Sequence, residues 1–525
     1  MLQIFSGTRY LRLLPPLVLL GLCILIIVAR LHTYDEPLER DITTYAVIAH
    51  EMAQGRDLYS DLWDHKPPAV HATYLMAEML VGYGETAICL LGVSAAIITL
   101  FGVYIAGRIY DGRKSTGLWA ASFWALTASD MQLQANQPNV EVFLNACLIW
   151  AFVALLKLLF EQRWYHMTLA AGMMLALASL YKPVVVFVAI AFGAALFGIR
   201  SLAQQRGYIT ALVQVGVLAA TGLASWFAVG TYFHLRGNFE DFYNAVITYN
   251  RFYSGDMLDN FATGLHVSRL MPEFLYFALP LVAMLIVGLG FGWRGRRAFW
   301  LLLLAYMVGV QLATAAPGFF YPHYYQLWLP VLTVGAAWGI SALNDIVMER
   351  YRFSGSLAAA LIVILLAYHA GGQYRLTPDQ WSQAKYGNVF VSTKKVADKI
   401  AGVLEDGESF YEWGAETGLY FYSGISPPTG VFYHYPLLSR WPQVGKLSDK
   451  VIRQLEHQRP ALIILNRAIL PRPENTQQII VGGHPVLNWI GKNYRLLPGV
   501  DQQGALLFLA KADSRLYRSY VAKRR

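Results

Sequence analysis

Apolar runs about as long as a bilayer is thick dominate this chain. A helix needs roughly 20 consecutive apolar residues to cross the hydrocarbon core. Runs near that length lie at 11–31, 86–107, 115–130, 140–160, 166–181, 183–199, 209–233, 272–292, 298–316, 324–343 and 355–371. Inside lipid a helix satisfies all its own backbone N–H and C=O groups, so the expected fold is an all-α polytopic membrane domain of about eleven spans. Composition agrees, with 56% hydrophobic and only 14% charged residues. The first run follows Arg9 and Arg12 and lacks a small-residue cleavage site before Arg30 and His32, so it reads as a retained helix rather than a signal peptide. Tyr181-Lys182-Pro183 alone separates the fifth and sixth runs, which read equally as one broken helix.

Lys and Arg fall in alternate loops. Arg9 and Arg12, Arg108, Arg113 and Lys114, Lys157 and Arg163, Arg200 and Arg206, Arg294, Arg296 and Arg297, and Arg350 and Arg352 share one side. Cytoplasmic loops carry the positive excess, so the amino terminus is expected in the cytoplasm and, with eleven spans, the carboxy terminus outside. The net charge of +9 is thus a topology signal and not a nucleic-acid patch. Cys23, Cys89 and Cys147 all fall in apolar runs, leaving none in the loops for disulfides or CxxC sites.

The outside segments are then His32–Glu85, Ser129–Asn139, His234–Met271 and the turn around Pro317–His323. In the first, Ile42, Tyr45, Ala46, Ala49, Met52 and Ala53 recur at helical spacing, which predicts an interfacial helix from Asp41 to a C-cap at Gly55. From Gln373 the composition becomes that of a water-soluble domain, dividing the chain into a membrane domain, 1–372, and a small α/β domain, 373–525. There Ser392 and Ser448 are expected to cap helices running to Leu404 and His457, and strands are expected at Ser409–Trp413, Gly430–Tyr433, Ala461–Leu465 and Ala505–Leu509. Neither GxGxxG nor a P-loop occurs in it.

Chemistry-bearing side chains are densest in the first outside segment, in Tyr34-Asp35-Glu36 through Arg40-Asp41 and in Arg56 through Tyr59, Asp64-His65-Lys66-Pro67-Pro68. Mixed charge is also what any solvated loop shows. Asp41 begins the predicted helix, whose positive end favours an ionised carboxylate able to act as a general base. Two prolines stiffen the chain after Lys66, holding its ammonium near the headgroups, where a lipid-borne phosphate would meet it. Asn139 and Glu141 follow Pro138 at the outer end of the fourth run; a carboxylate there invites a partner across a cavity and is equally a first-turn capping group.

Taken together, Asp41, Tyr45-Ala46, Gly55, Leu58-Tyr59, Asp61, Lys66-Pro67-Pro68, Gln137-Pro138-Asn139-Val140-Glu141 and Tyr321-Pro322-His323-Tyr324-Tyr325 before Leu329-Pro330 form a pattern. It resembles the bacterial polytopic glycosyltransferases of the GT-C superfamily, above all relatives of protein O-mannosyltransferases (glycosyltransferase family 39) and the lipid A aminoarabinose transferase. The resemblance runs to about Asp345. It implies a bacterial inner-membrane enzyme that moves a sugar from a polyprenyl-phosphate donor to a lipid, glycan or protein acceptor on the periplasmic side. It places the catalytic base at Asp41, by spacing to Tyr45-Ala46; Ile42 stands where Glu is usual, and Asp35-Glu36 supplies that dipeptide six residues early, which leaves Asp35 as second choice. The residue before Lys-Pro binds metal in the aminoarabinose transferase, so His65 is the position implied for a divalent ion, and Lys66 for the donor phosphate.

On this reading an acceptor hydroxyl gives its proton to Asp41 as its oxygen attacks sugar C1, and Lys66, helped by Arg40, Arg251 or Arg269, stabilises the departing phosphate. A direct displacement inverts the anomeric centre. Tyr59, Asp64, Asn139, Tyr321, His323 and Tyr324 are expected around the substrate, although tyrosine belts at membrane interfaces are common without a ligand. Glu412, Trp413 and Tyr420 are the tail residues available to join them. Two other classes compete. A transporter or flippase of a lipid-linked sugar would carry ionisable groups near the bilayer midplane, and a membrane-anchored binding protein would work through its polar tail.

Overall fold

The computed structural model describes residues 7–159, 164–203, 207–346, 354–470, 483–497 and 506–522. Its membrane part begins with α1 (Gly7–His32), α2 (Arg40–Ala53), α3 (Ala69–Val81), α4 (Glu85–Ile109), α5 (Lys114–Thr127), α6 (Val140–Leu158), α7 (Trp164–Tyr181), α8 (Val186–Ala203) and α9 (Gly207–Leu235). Four short helices follow, α10 (Phe239–Tyr243), α11 (Tyr249–Tyr253), α12 (Met257–Gly264) and α13 (Val267–Leu270). The bundle closes with α14 (Pro272–Gly292), α15 (Arg297–Ala315), α16 (Trp328–Ile346) and α17 (Ser354–Gln373).

Among the described residues nine helices are long and apolar enough to cross a membrane. The expected runs at 115–130 and 166–181 form the shorter α5 and α7 instead. Polar chemistry ends both. Asp130 turns the chain after α5 by accepting from the Leu133 N–H at 2.9 Å, and Pro183 forces Lys182 into an extended conformation (φ −153°, ψ 118°) after α7. α7 and α8 are separate helices, and both pack on α9.

α6 and α16 are the most enclosed spans, whereas α1 and α9 present Leu17, Val28, Leu223 and Phe227 outward, as lipid-facing helices do. α14 and α16 meet through glycines: the Gly339 Cα lies 2.6 Å from where a Gly288 Cβ would sit, and a Cβ on Gly339 would strike the Met284 carbonyl. Small residues at a crossing let helix backbones touch, a main source of cohesion where lipid removes the hydrophobic drive.

Helix α2 forms as predicted, with Gly55 at φ +93° just beyond its end. It is covered by protein on both sides. Ile42, Tyr45, Ala46 and Ala49 are buried, and the opposite face bonds the tail, Thr43 and Thr44 each pairing their hydroxyl with that of Thr417 at 2.8 and 2.9 Å.

After α17 come α18 (Pro378–Tyr386), α19 (Val389–Val403), β1 (Phe410–Trp413), α20 (Gly418–Ser423), α21 (Tyr435–Leu438), α22 (Val444–Gln458), β2 (Leu462–Asn466), α23 (Pro485–Asn493), β3 (Arg495–Leu496), β4 (Leu506–Ala510) and α24 (Arg515–Ala522). The strands form one sheet in the order β1-β2-β4-β3, with β1 and β2 parallel and the other pairs antiparallel. Three local expectations fail. Ser392 and Ser448 lie inside α19 and α22, which start at Val389 and Val444, and the Ser448 hydroxyl bonds back to the Val444 carbonyl. Gly430–Tyr433 is no strand: it is a buried irregular segment whose Gly430 carbonyl accepts from Trp63 N–H at 2.9 Å. A Cβ on Gly430 would strike the Asp61 carbonyl, so this segment lies flat on the first loop. The run at Ala505–Leu509 forms β4 from Leu506, and Ala505 lies outside the described residues.

Candidate active site

Helix α2 starts at an unusual cap. Glu39 is its N-cap and accepts the Asp41 N–H through Oε2 at 2.9 Å, while the Gln137 side chain accepts the Glu39 N–H at 2.9 Å. This fixes Glu39, Arg40 and Asp41 at the rim of a cavity of about 340 Å³. Asp64, His65 and Lys66 from the first loop line the same cavity, with Gln134, Tyr253, Tyr321, His323 and Tyr324 from the later loops and Tyr386, Phe390, Tyr433 and Tyr435 from the tail.

Among the described residues the Asp41 carboxylate and the Lys66 ammonium make no hydrogen bond or ion pair with protein. Other charges around them are committed. Arg40 donates to Glu416 at 2.9 Å and to the Tyr435 hydroxyl at 2.6 Å, and Glu416 keeps it charged despite burial. Asp64 is buried and accepts from Tyr433 at 3.0 Å and from the His65 N–H at 2.7 Å, with His71 Nε2 at 3.1 Å from its other oxygen. Burial pushes the Asp64 carboxyl up, but the His65 and His71 rings outweigh it and hold the group well below the usual carboxylate range. Burial and the neighbouring Lys66 lower His65, against the opposing pull of Asp64. Burial, with Asp41 adding to it, raises Glu39 to about 8.

Three of the non-glycine residues with positive φ adjoin this cavity. They are Tyr59 (φ 72°), whose hydroxyl donates to the Lys66 carbonyl at 2.8 Å, Gln134 (φ 54°) in the wall, and Phe320 (φ 51°) between two wall residues. Each costs on the order of 1–2 kcal/mol, and such strain gathers where a geometry is used.

Several expected site residues stand elsewhere. Asp35 is exposed and does not line the cavity. Glu36 is buried in an ion pair with Lys385 at 2.7 Å, which ties α18 to the first loop. Glu141 is absent from the lining and buried in an ion pair with Lys182 at 2.6 Å, whose ammonium is 3.6 Å from the centre of the Tyr324 ring. Asn139 caps α6 by accepting the Val140 N–H at 2.7 Å, and Tyr59 supports Lys66 from behind. Arg251 and Arg269, on α11 and α13, are exposed and absent from the lining because short helices carry them on their outer faces. Among the described residues no three His, Cys, Asp or Glu side chains converge on a metal position. His65 with Asp64 thus provides at most two ligands, short of a closed metal site.

Sequence reasoning passed over Glu39, Tyr253, Tyr386, Tyr433 and Tyr435. Glu39 carried a signal, since Glu is not among the side chains favoured at a helix N-cap. The tail tyrosines carried none, because only tertiary folding brings them within reach.

Comparison with known proteins adds the following. Residues 65–226 match the family model described as dolichyl-phosphate-mannose-protein mannosyltransferase. The structure of ArnT from Cupriavidus metallidurans bound to undecaprenyl phosphate superposes with a TM-score of 0.60 at 14% identity, over 97% of this chain and 99% of that one. The oligosaccharyltransferase AglB from Archaeoglobus fulgidus, in complex with an inhibitory peptide and a dolichol-phosphate, superposes with a TM-score of 0.53 at 13% identity, over 88% of this chain and 70% of that one. No curated protein matches the sequence. The fold is therefore the GT-C fold of membrane glycosyltransferases.

Proposed function

We propose that this chain is an inverting glycosyltransferase that moves a sugar from a polyprenyl-phosphate donor to an acceptor hydroxyl, on the periplasmic side of a bacterial inner membrane. One observation carries the reading: an uncommitted carboxylate, Asp41, and an uncommitted ammonium, Lys66, face one cavity. The acceptor oxygen attacks C1 and passes its proton to Asp41. The bond from C1 to the phosphate oxygen breaks, its electron pair stays on the lipid phosphate, and Lys66 balances the charge that develops there. Tyr321, His323 and Tyr324 would flank the sugar. Held at low pKa by its histidines, Asp64 is a fixed anion that orients the segment carrying Lys66.

Sidedness has its own support. Each loop assigned to the outside by the distribution of Lys and Arg, and the tail from 373 onward, supplies a residue to this cavity, as segments on one face of a membrane must.

The test is turnover by purified protein in proteoliposomes offered a panel of polyprenyl-phosphate sugars, with lipid, glycan and peptide acceptors. Asp41→Asn should lose about 10²- to 10⁴-fold in rate, the usual worth of a general base, and Asp35→Asn should match wild type. Equal turnover in wild type and Asp41→Asn removes the assignment. Movement of donor across the bilayer without transfer makes the protein a flippase.

A further inference from the structure

Three carboxylates line the cavity, Glu39, Asp41 and Asp64, and the reading above gives a role to Asp41 and Asp64 but none to Glu39. We propose that Glu39 is a second catalytic acid, donating a hydrogen bond from its carboxyl group to a substrate oxygen while Asp41 takes the acceptor's proton. This rests on the proposed glycosyl transfer and adds to it a group that makes the site a donor–acceptor pair.

Geometry comes first. Glu39 lines the cavity beside Asp41, two residues along the same first turn. Its Oε2 accepts the Asp41 N–H, and among the described residues Oε1 bonds no protein group. The adjacent Arg40 favours the ionised form of Glu39, but both ends of its guanidinium are held by Glu416 and Tyr435, and burial outweighs it. Two neighbouring carboxylates do not both ionise readily, and the more desolvated one keeps the proton. Burial and Asp41 accordingly raise Glu39 to about 8.

The groups around Glu39 leave that balance in place. On its own helix they are Arg40, Asp41 and Tyr45; from the surrounding elements they are Tyr74, Tyr321, Lys385, Tyr386 and Glu416. Lys385 is neutralised by Glu36 and Arg40 by Glu416, and the tyrosines are neutral. A pair of acids with pKa values pushed apart by their surroundings divides the labour of proton donor and proton acceptor. A protonated Glu39 offers its hydrogen to a phosphate or sugar oxygen that gains charge as the glycosidic bond breaks, opposite in sense to the proton movement at Asp41.

Two measurements decide the matter. Infrared spectroscopy of the full chain in nanodiscs needs no turnover: wild type at neutral pH should show a protonated-carboxyl carbonyl band that Glu39→Gln lacks and that fades as pH rises through about 8. Absence of any Glu39-dependent band overturns the proposal. In the turnover assay, wild-type rate should fall about tenfold per pH unit above that point, one proton being lost. Glu39→Gln, which still donates, should keep activity within about tenfold of wild type and lose the alkaline limb, and Glu39→Ala should lose on the order of 10²-fold or more. A wild-type alkaline limb in Glu39→Gln would mean that Glu39 only caps the helix. If no donor is turned over by wild type, the glycosyl-transfer reading fails while the infrared result still decides the state of Glu39.

Discussion

The Tyr433 hydroxyl donates to the Asp64 carboxylate at 3.0 Å, joining positions 369 apart in sequence. It ties the tail to the segment Asp64-His65-Lys66, whose ammonium lines the cavity. A hydrogen bond to a charged group contributes about 1.5–3 kcal/mol. Tyr433→Phe should therefore lower the thermal unfolding midpoint in detergent and reduce turnover about tenfold, the effect of roughly 1.4 kcal/mol. A wild-type midpoint together with wild-type turnover would show that the bond is idle.

How much of this was legible beforehand differs by scale. Helices on the scale of the bilayer were readable because lipid imposes length and apolarity on each span independently. Helix α2 was readable from the spacing of Ile42, Tyr45, Ala46 and Ala49. The segment around Val431 and Phe432 was misread, because alternating apolar character marks burial between two surfaces as readily as it marks a strand. Asp41 and Lys66 stood out by local chemistry, whereas the Arg40–Glu416 pair depends on a contact 376 residues apart that no local pattern encodes.

Lys66→Met should weaken binding of undecaprenyl phosphate about 10- to 100-fold, since a charge-assisted hydrogen bond of roughly 1.5–3 kcal/mol is removed. Arg251→Met and Arg269→Met should bind it as wild type does, because neither side chain lines the cavity. Lipid titration followed by native mass spectrometry separates the three; equal loss in all would assign the effect to surface charge.

Glu141→Gln should cost about 3–5 kcal/mol by leaving Lys182 buried without its partner, and adding Lys182→Met should restore much of it. Chemical unfolding in detergent reads both. A double variant no more stable than the single one would show that the pair matters through the Tyr324 ring rather than through its own charges.

Glu412 makes the stability of the tail depend on pH between about 4.5 and 8. Burial, and Glu416 beside it, raise its pKa to about 8 from an ordinary value of 4.5. The folded tail therefore binds a proton that the unfolded chain releases. Stability is complete below about pH 4.5, declines by up to about 1.4 kcal/mol per pH unit above it, and levels off beyond about 8. Glu412→Gln should flatten that slope in thermal scans run across the window. An unchanged slope would place the titrating group elsewhere, with Glu39 the next to examine.

The flat seating of Gly430 on Asp61 bears on the order of synthesis. A ribosome that has threaded every span into the bilayer has still delivered only part of the chamber, since Tyr386, Phe390, Tyr433 and Tyr435 emerge afterwards. A newly inserted bundle is thus an unfinished vessel that lacks one wall. Until the tail docks, Asp41 and Lys66 lack the clamp on Asp64 that Tyr433 supplies, and the cavity stands open on one side.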